Sequence, residues 1–227
     1  MLCSGSRLKT ILYQDKPSSY IRSIPDEKIA RCWPELWALK NVRQPVDGHP
    51  EGDVFEHSLQ VLDAIAGLTF TAGVRYAAFL HDFGKQSTPV EEYPHHYGHE
   101  KKSAYYIIKF SRRLGVLLDW EKSALAAARL HMKGHYFFKL RPGTRVDLLT
   151  EINSSPLSLE DFRLILMADA RGRGRAGSCS DNYLKEMVEI GREMFERFPS
   201  GWLDPERIRQ LRCNWMAAIS RQLEEQD

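Results

Sequence analysis

Residues 76–85 read YAAFLHDFGK. An apolar run fit for burial carries His81 and Asp82 at its end, just ahead of a glycine and a lysine. Burying a polar group without a partner costs ~1–3 kcal/mol, so the fold must bring other groups to these two side chains. Adjacent residues project into one site only from a helix end, where neighbouring side chains converge from different directions. The chain must therefore end a helix inside its body, against partners held elsewhere in the sequence.

The text around this stretch is helical in period. Phe55, Leu59, Leu62, Ile65 and Ala66 recur at helical spacing after Asp53, and breaks follow at Gly67 and Gly73. The next helix is predicted over Val74 to Asp82, stopping at Gly84. Others are predicted from His99 or Glu100 to Arg113, Trp120 to Lys133, Ser180 to Phe198 and Pro205 to Glu225. Ser158 with Asp161 forms a helix-start box before FRLILMADA, a helix carrying Asp169 near its end. YFFKLRPGTRVDLL is the one segment that reads as a short hairpin. Residues 1–45 read as an extended lead-in packed on the domain, with one short helix over Asp26–Trp33, and residues 46–227 as the domain itself with its C-terminal helices. The expected class is all-α, a helical bundle.

Composition narrows the function. At 43% hydrophobic and 27% charged residues the chain is ordinary for a packed domain. A formal charge of +2 is too small to imply nucleic-acid binding through net charge. The densest basic cluster is Arg171, Arg173 and Arg175. The uncharged stretch Ala64–Val74 is about half of the ~20 residues a membrane span needs, so no membrane association is expected. MLCSGSRLKT lacks a secretory signal, which makes a cytoplasmic location the simplest reading. Cys3, Cys32, Cys179 and Cys213 are scattered without a CxxC pair and read as plain thiols.

His57, His81, Asp82 and Asp169 all fall beside apolar residues that should bury their faces. Taken singly, each reads as a hydrogen-bonded core histidine or a helix-end carboxylate. Together, imidazole nitrogen and carboxylate oxygen suit a first-row divalent ion such as Mn, Co, Ni, Fe or Zn better than calcium.

These residues match a known pattern. His57, HDFGK at 81–85 and Asp169 resemble the HD-domain metal-dependent phosphohydrolases, an all-α superfamily named for its adjacent His-Asp pair. HPEGDVFEHSLQVLDAI, RYAAFLHDFGKQSTP, HHYGHEKKSA and ADARGR resemble, in that order, the HD domain appended to bacterial tRNA nucleotidyltransferases, the CCA-adding enzymes. The resemblance covers roughly Trp33 to Arg175. The first fifty residues show no paired catalytic aspartates of a nucleotidyltransferase head, so the expectation is a free-standing hydrolase rather than CCA addition. The resemblance implies that His57, His81, Asp82 and Asp169 bind one metal, in the core of the helical bundle. It also implies that His99 and His131 bind a second, with Asp82 bridging. His135, one turn beyond His131, is a further candidate. His95 and His96 read as exposed loop residues, and His49 as an organiser of the loop leading to His57.

A metal held by such groups lowers the pKa of its coordinated water and withdraws charge from a phosphoryl oxygen, which points to phosphoester hydrolysis with Asp82 at the reacting centre. Lys85, just after the metal pair, is placed to meet substrate phosphate or the leaving oxygen, and Arg171 and Arg173 to grip phosphate in bidentate fashion. The resemblance implies phosphodiesterase and phosphatase action on 2′,3′-cyclic phosphates or 2′-phosphates, with a nucleotide or an RNA end as substrate. Hydrolysis of deoxynucleotides or dinucleoside polyphosphates, di-iron oxygenase chemistry, and a non-catalytic RNA-binding or regulatory module with a structural metal remain open alternatives. The oligomeric state is not legible.

Overall fold

Two of the helices that carry site residues open where a side chain meets their free N–H groups. The Asp53 carboxylate accepts from the Glu56 N–H at 2.8 Å, and Ser158 and Asp161 form the reciprocal capping box. The computed structural model describes residues 4–174, 180–201 and 203–224, so Arg175, Cys3 and Cys179 lie outside the described residues. The described helices are α1 (Gly5–Leu12), α2 (Pro17–Arg22), α3 (Asp26–Cys32), α4 (Pro34–Trp37), α5 (Val54–Ala66), α6 (Ala72–Leu80), α7 (His99–Leu114), α8 (Leu118–His135), α9 (Pro142–Asn153), α10 (Leu159–Gly172), α11 (Asp181–Arg197) and α12 (Pro205–Glu224). Short 3-10 turns occupy Phe83–Ser87, Val90–Glu92 and Phe137–Lys139. Among the described residues there is no strand, only an isolated bridge between Arg43 and Asp53, and the all-α expectation holds.

The core is built around α6, whose Tyr76, Ala77, Ala78, Phe79 and Leu80 are fully buried. It packs between α5 and α8. The fully buried Ala124, Ala127 and Ala128 of α8 let the two backbones approach closely. α10 lies along α5, and α7 runs beside both α8 and the Phe83–Ser87 turn. α9 pairs with α12, and α11 with α10. The helices that matter for the site, α5, α6, α7, α8 and α10, thus converge on the buried C-terminal end of α6.

Four departures from the sequence reading have physical causes. The lead-in is not extended: α1 to α4 form there and bury Leu8, Ile11, Leu12, Ile21, Trp33 and Leu36, with α1 against α6, α2 against α5, α4 against the Phe83–Ser87 turn and Trp33 against Phe110 of α7. Fully buried Arg75 ties the end of α1 to the end of α5, donating to the carbonyls of Leu12 at 2.5 Å, Gln14 at 2.9 Å, Ala66 at 2.7 Å and Thr69 at 2.6 Å. The hairpin expected around 136–149 is a 3-10 turn followed by α9, because Pro142 suits a first helical turn and Val146, Leu149 and Ile152 bury one helical face. α6 ends at Leu80, so His81 caps it and Asp82 begins the next turn. Finally, Cys32 is disulfide-bonded rather than a plain thiol, while Cys213 is free.

Candidate metal centre

Six predicted side chains from five elements meet in one buried cluster. His57 comes from α5, His81 and Asp82 from the end of α6, His99 from the first turn of α7, His131 from the C-terminal part of α8 and Asp169 from α10. All are buried, and His57 and His81 are wholly inaccessible.

The cluster divides around Asp82. On one side, Asp82 Oδ2 lies 3.3 Å from His81 Nε2 and 3.8 Å from His57 Nε2. Asp169 Oδ1 closes that set, 3.1 Å from His57 Nε2 and 3.7 Å from His81 Nε2. On the other side, Asp82 Oδ1 lies 3.3 Å from His99 Nε2 and 3.5 Å from His131 Nε2, which are 3.4 Å apart. Ligands bound ~2.0–2.2 Å from a shared ion stand roughly 3–3.6 Å from each other. Both sets have that spacing to within a few tenths of an ångström.

Hydrogen bonding shows which atoms are offered. His81 Nδ1 donates to the Ala78 carbonyl at 2.8 Å, His99 Nδ1 to that of His96 at 2.8 Å, and His131 Nδ1 to that of Ala128 at 2.9 Å. His57 Nδ1 lies 2.8 Å from Glu51 Oε1. With the proton on Nδ1, a neutral ring presents a lone pair at Nε2, so four lone pairs face two carboxylates. Among the described residues, His57 Nδ1 approaches Glu51 Oε1 without forming an aligned hydrogen bond, and buried His81 Nε2 and Asp82 Oδ1 have no hydrogen-bond partner. A cation shared by the latter two atoms removes the ~1–3 kcal/mol that each unmet group costs, so the donor set fits a divalent ion.

In the ion-free protein, positive charge on neighbouring histidines and on Lys85 stands in for a cation. Burial would raise the Asp82 carboxyl, but His81 and Lys85 hold it well below the usual carboxylate range. Burial works likewise against ionised Asp169, and His81 and His135 outweigh it. Burial with nearby His81 pushes His131 well down, keeping it neutral and able to ligate. His57 is raised, because Asp169 and Glu51 overcome its burial, and His99 is raised against its burial by Asp82.

The remaining predicted residues are placed differently. Buried Lys85 donates to Asp82 Oδ2 and to Gln44 Oε1, both at 2.7 Å. Arg173 donates to Asp169 Oδ2 at 2.8 Å, and His135 Nε2 lies 2.6 Å from the same oxygen. Both therefore grip a candidate ligand instead of facing open space. Arg171 is exposed on the last turn of α10, and among the described residues no bond joins it to the cluster. His95 is exposed and stacked on Tyr97. His96 sits between Thr88 Oγ1 and the Arg43 carbonyl, each 2.9 Å away, and burial is the main reason its pKa falls to about 4. Sequence reasoning missed Glu51 and Gln44. Neither belongs to a periodic segment, and the only signal was a carboxylate in HPEGD close to two histidines.

Residues 54–153 match the family described as HD domain. This chain carries an HD domain. It is the all-helical domain of a metal-dependent hydrolase superfamily, and the matched residues include the adjacent His81 and Asp82. The chain is also similar to proteins named multifunctional CCA protein. It is 41% identical over 147 residues to one from Nitrosococcus oceani, covering 64% of this chain and 36% of that protein. To that of Halorhodospira halophila it is 36% identical over 204 residues, 85% of this chain and 49% of the relative. To one from Pseudomonas fluorescens the figures are 32% over 225 residues, 95% and 55%. The chain thus spans about half the length, or less, of these relatives. No helix among the described residues of this HD-domain chain is long and apolar enough to cross a membrane.

Proposed function

We propose that this chain is a divalent-metal-dependent phosphohydrolase that opens 2′,3′-cyclic phosphates or removes 2′-phosphates of nucleotides or RNA ends. The observation that carries the reading is the division of Asp82: Oδ2 faces the set with His57, His81 and Asp169, and Oδ1 faces His99 and His131. A carboxylate so shared suits two ions held side by side. When bound, one or two ions of Mn, Co, Ni, Fe or Zn supply a Lewis acid for the phosphoryl group and activate water.

The chain's own residues do the rest. The four Nδ1 contacts aim the imidazoles, and Lys85 balances the charge of Asp82 beside the reacting atoms. Arg171, exposed at the end of α10, offers a guanidinium to substrate phosphate. In the reaction, a water oxygen bonds to phosphorus, one ribose P–O bond breaks, and the leaving oxygen takes up a proton. The nucleotide or RNA-end substrate is supported by similarity to proteins named multifunctional CCA protein.

The test is hydrolysis of 2′,3′-cyclic AMP, 2′-AMP, deoxynucleoside triphosphates and dinucleoside polyphosphates by protein of measured metal content. Turnover of the first two, abolished by Asp82→Ala, is expected. Turnover of only the latter pair would transfer the site to nucleotide polyphosphates. No turnover by a fully loaded protein would overturn the hydrolase reading.

A further inference from the structure

Glu51 precedes α5 in the turn that ends at the Asp53 cap, and its carboxylate is only 2% exposed. Its Oε1 stands 2.8 Å from His57 Nδ1 and 2.8 Å from His49 Nδ1. The His49 ring packs edge-on against His57, with centroids 4.8 Å apart. His49 thus holds Glu51 behind His57, away from the ligand atoms. Among the described residues Glu51 Oε2 is buried with no hydrogen-bond partner, a cost that a carboxylate serving only to brace the turn has no reason to carry.

We infer that Glu51 is a positioning residue that makes the two ion sites unequal, with the His57 site the tighter. The inference rests on the two-ion reading above. The other three imidazoles donate Nδ1–H to neutral backbone carbonyls, whereas at His57 a carboxylate oxygen lies 2.8 Å from Nδ1, close but not aligned as a hydrogen bond in the ion-free protein. An anionic acceptor fixes the tautomer more firmly than a carbonyl and makes the opposite nitrogen a stronger donor to metal. The two sets also differ in charge: Asp82 Oδ2 and Asp169 Oδ1 serve the first, and Asp82 Oδ1 alone serves the second. The His57 set therefore fills first, and the His99–His131 set holds the more exchangeable ion.

The experiment is titration of the full, metal-free chain with Mn²⁺ by calorimetry, alongside long-range ¹H–¹⁵N NMR of its histidines at pH 8.5. Wild type is expected to bind in two events and to show His57 protonated on Nδ1. Glu51→Gln is expected to weaken the tighter event ~10–100-fold, leave the weaker one unchanged, and bring up an Nε2–H population at His57. Should that variant fail to fold, Glu51→Asp, which draws the carboxylate back by one methylene, is read the same way. Equal weakening of both events, unchanged affinities with only a lowered melting temperature, or an unaltered His57 tautomer would each overturn the inference. Binding is read without turnover, so a loaded protein that hydrolyses nothing refutes the function and leaves this assignment standing.

Discussion

Gly84→Ala tests whether the HDFGK segment is a matter of backbone approach. A Cβ at Gly84 would stand 2.1 Å from the His99 carbonyl oxygen, 2.5 Å from the Ser103 nitrogen and 2.7 Å from Ser103 Oγ. Ordinary carbon contacts begin at about 3.5 Å, so the first turn of α7 must withdraw by roughly 1 Å. Two of the three obstructing atoms are backbone, which no rotamer change can move. The cost belongs at the upper end of overpacking, about 3 kcal/mol, or ~6–12 °C in melting temperature for a chain of this size. The same movement reaches the site, because that turn carries His99, whose Nε2 is 3.3 Å from Asp82 Oδ1. Metal sites tolerate ~0.2 Å in ligand distance, so the His99–His131 ion should be lost while the His57 ion stays. Thermal unfolding by circular dichroism and metal stoichiometry by mass spectrometry measure the two effects. Ser103→Ala serves as control, removing the 2.8 Å bond to the Gly84 N–H without a clash. A Gly84→Ala protein that melts like wild type, or melts lower yet keeps both ions at wild-type affinity, would refute the coupling.

Metal affinity should fall on acidification, beginning above the ordinary histidine pKa of about 6.5. His57 and His99 are raised, each must lose its proton to ligate, and protons therefore compete at higher pH than for a free imidazole. Calorimetry in buffers of different ionisation enthalpy should detect the released protons, and an affinity flat between pH 8 and 6 would contradict this. Arg173→Ala should weaken metal binding as well as turnover, because Arg173 grips Asp169; a raised KM with unchanged metal affinity would return Arg173 to a phosphate-binding role. Arg75→Met leaves the Leu12, Gln14, Ala66 and Thr69 carbonyls without this donor and should cost about 4 kcal/mol in urea unfolding. A loss below ~1 kcal/mol would show that water or neighbours replace it.

Much of this protein was written in near-neighbour patterns. The 3.6-residue spacing of Phe55, Leu59 and Leu62, the Ser158–Asp161 box and the glycine after HDF specify helices and their ends within a few residues. Residue chemistry pointed to His57, His81, Asp82 and Asp169 too, since imidazoles and carboxylates on buried faces require a partner, whereas His99 and His131 were implied only by the family resemblance. The lead-in was misread because Leu8, Ile11 and Leu12 share a helical face too short to stand out among prolines.

Only tertiary structure could assign roles inside the cluster. His57 and Asp169 touch across a separation of 112 residues, and no local rule states which oxygen of Asp82 faces which histidines. The same holds for Lys85 turning onto Asp82, Arg173 onto Asp169, and Glu51 onto His57. Helix propensity and capping act over a turn or two of chain, whereas ligand sets, tautomers and charge pairs depend on where α5, α6, α7, α8 and α10 come to rest against one another.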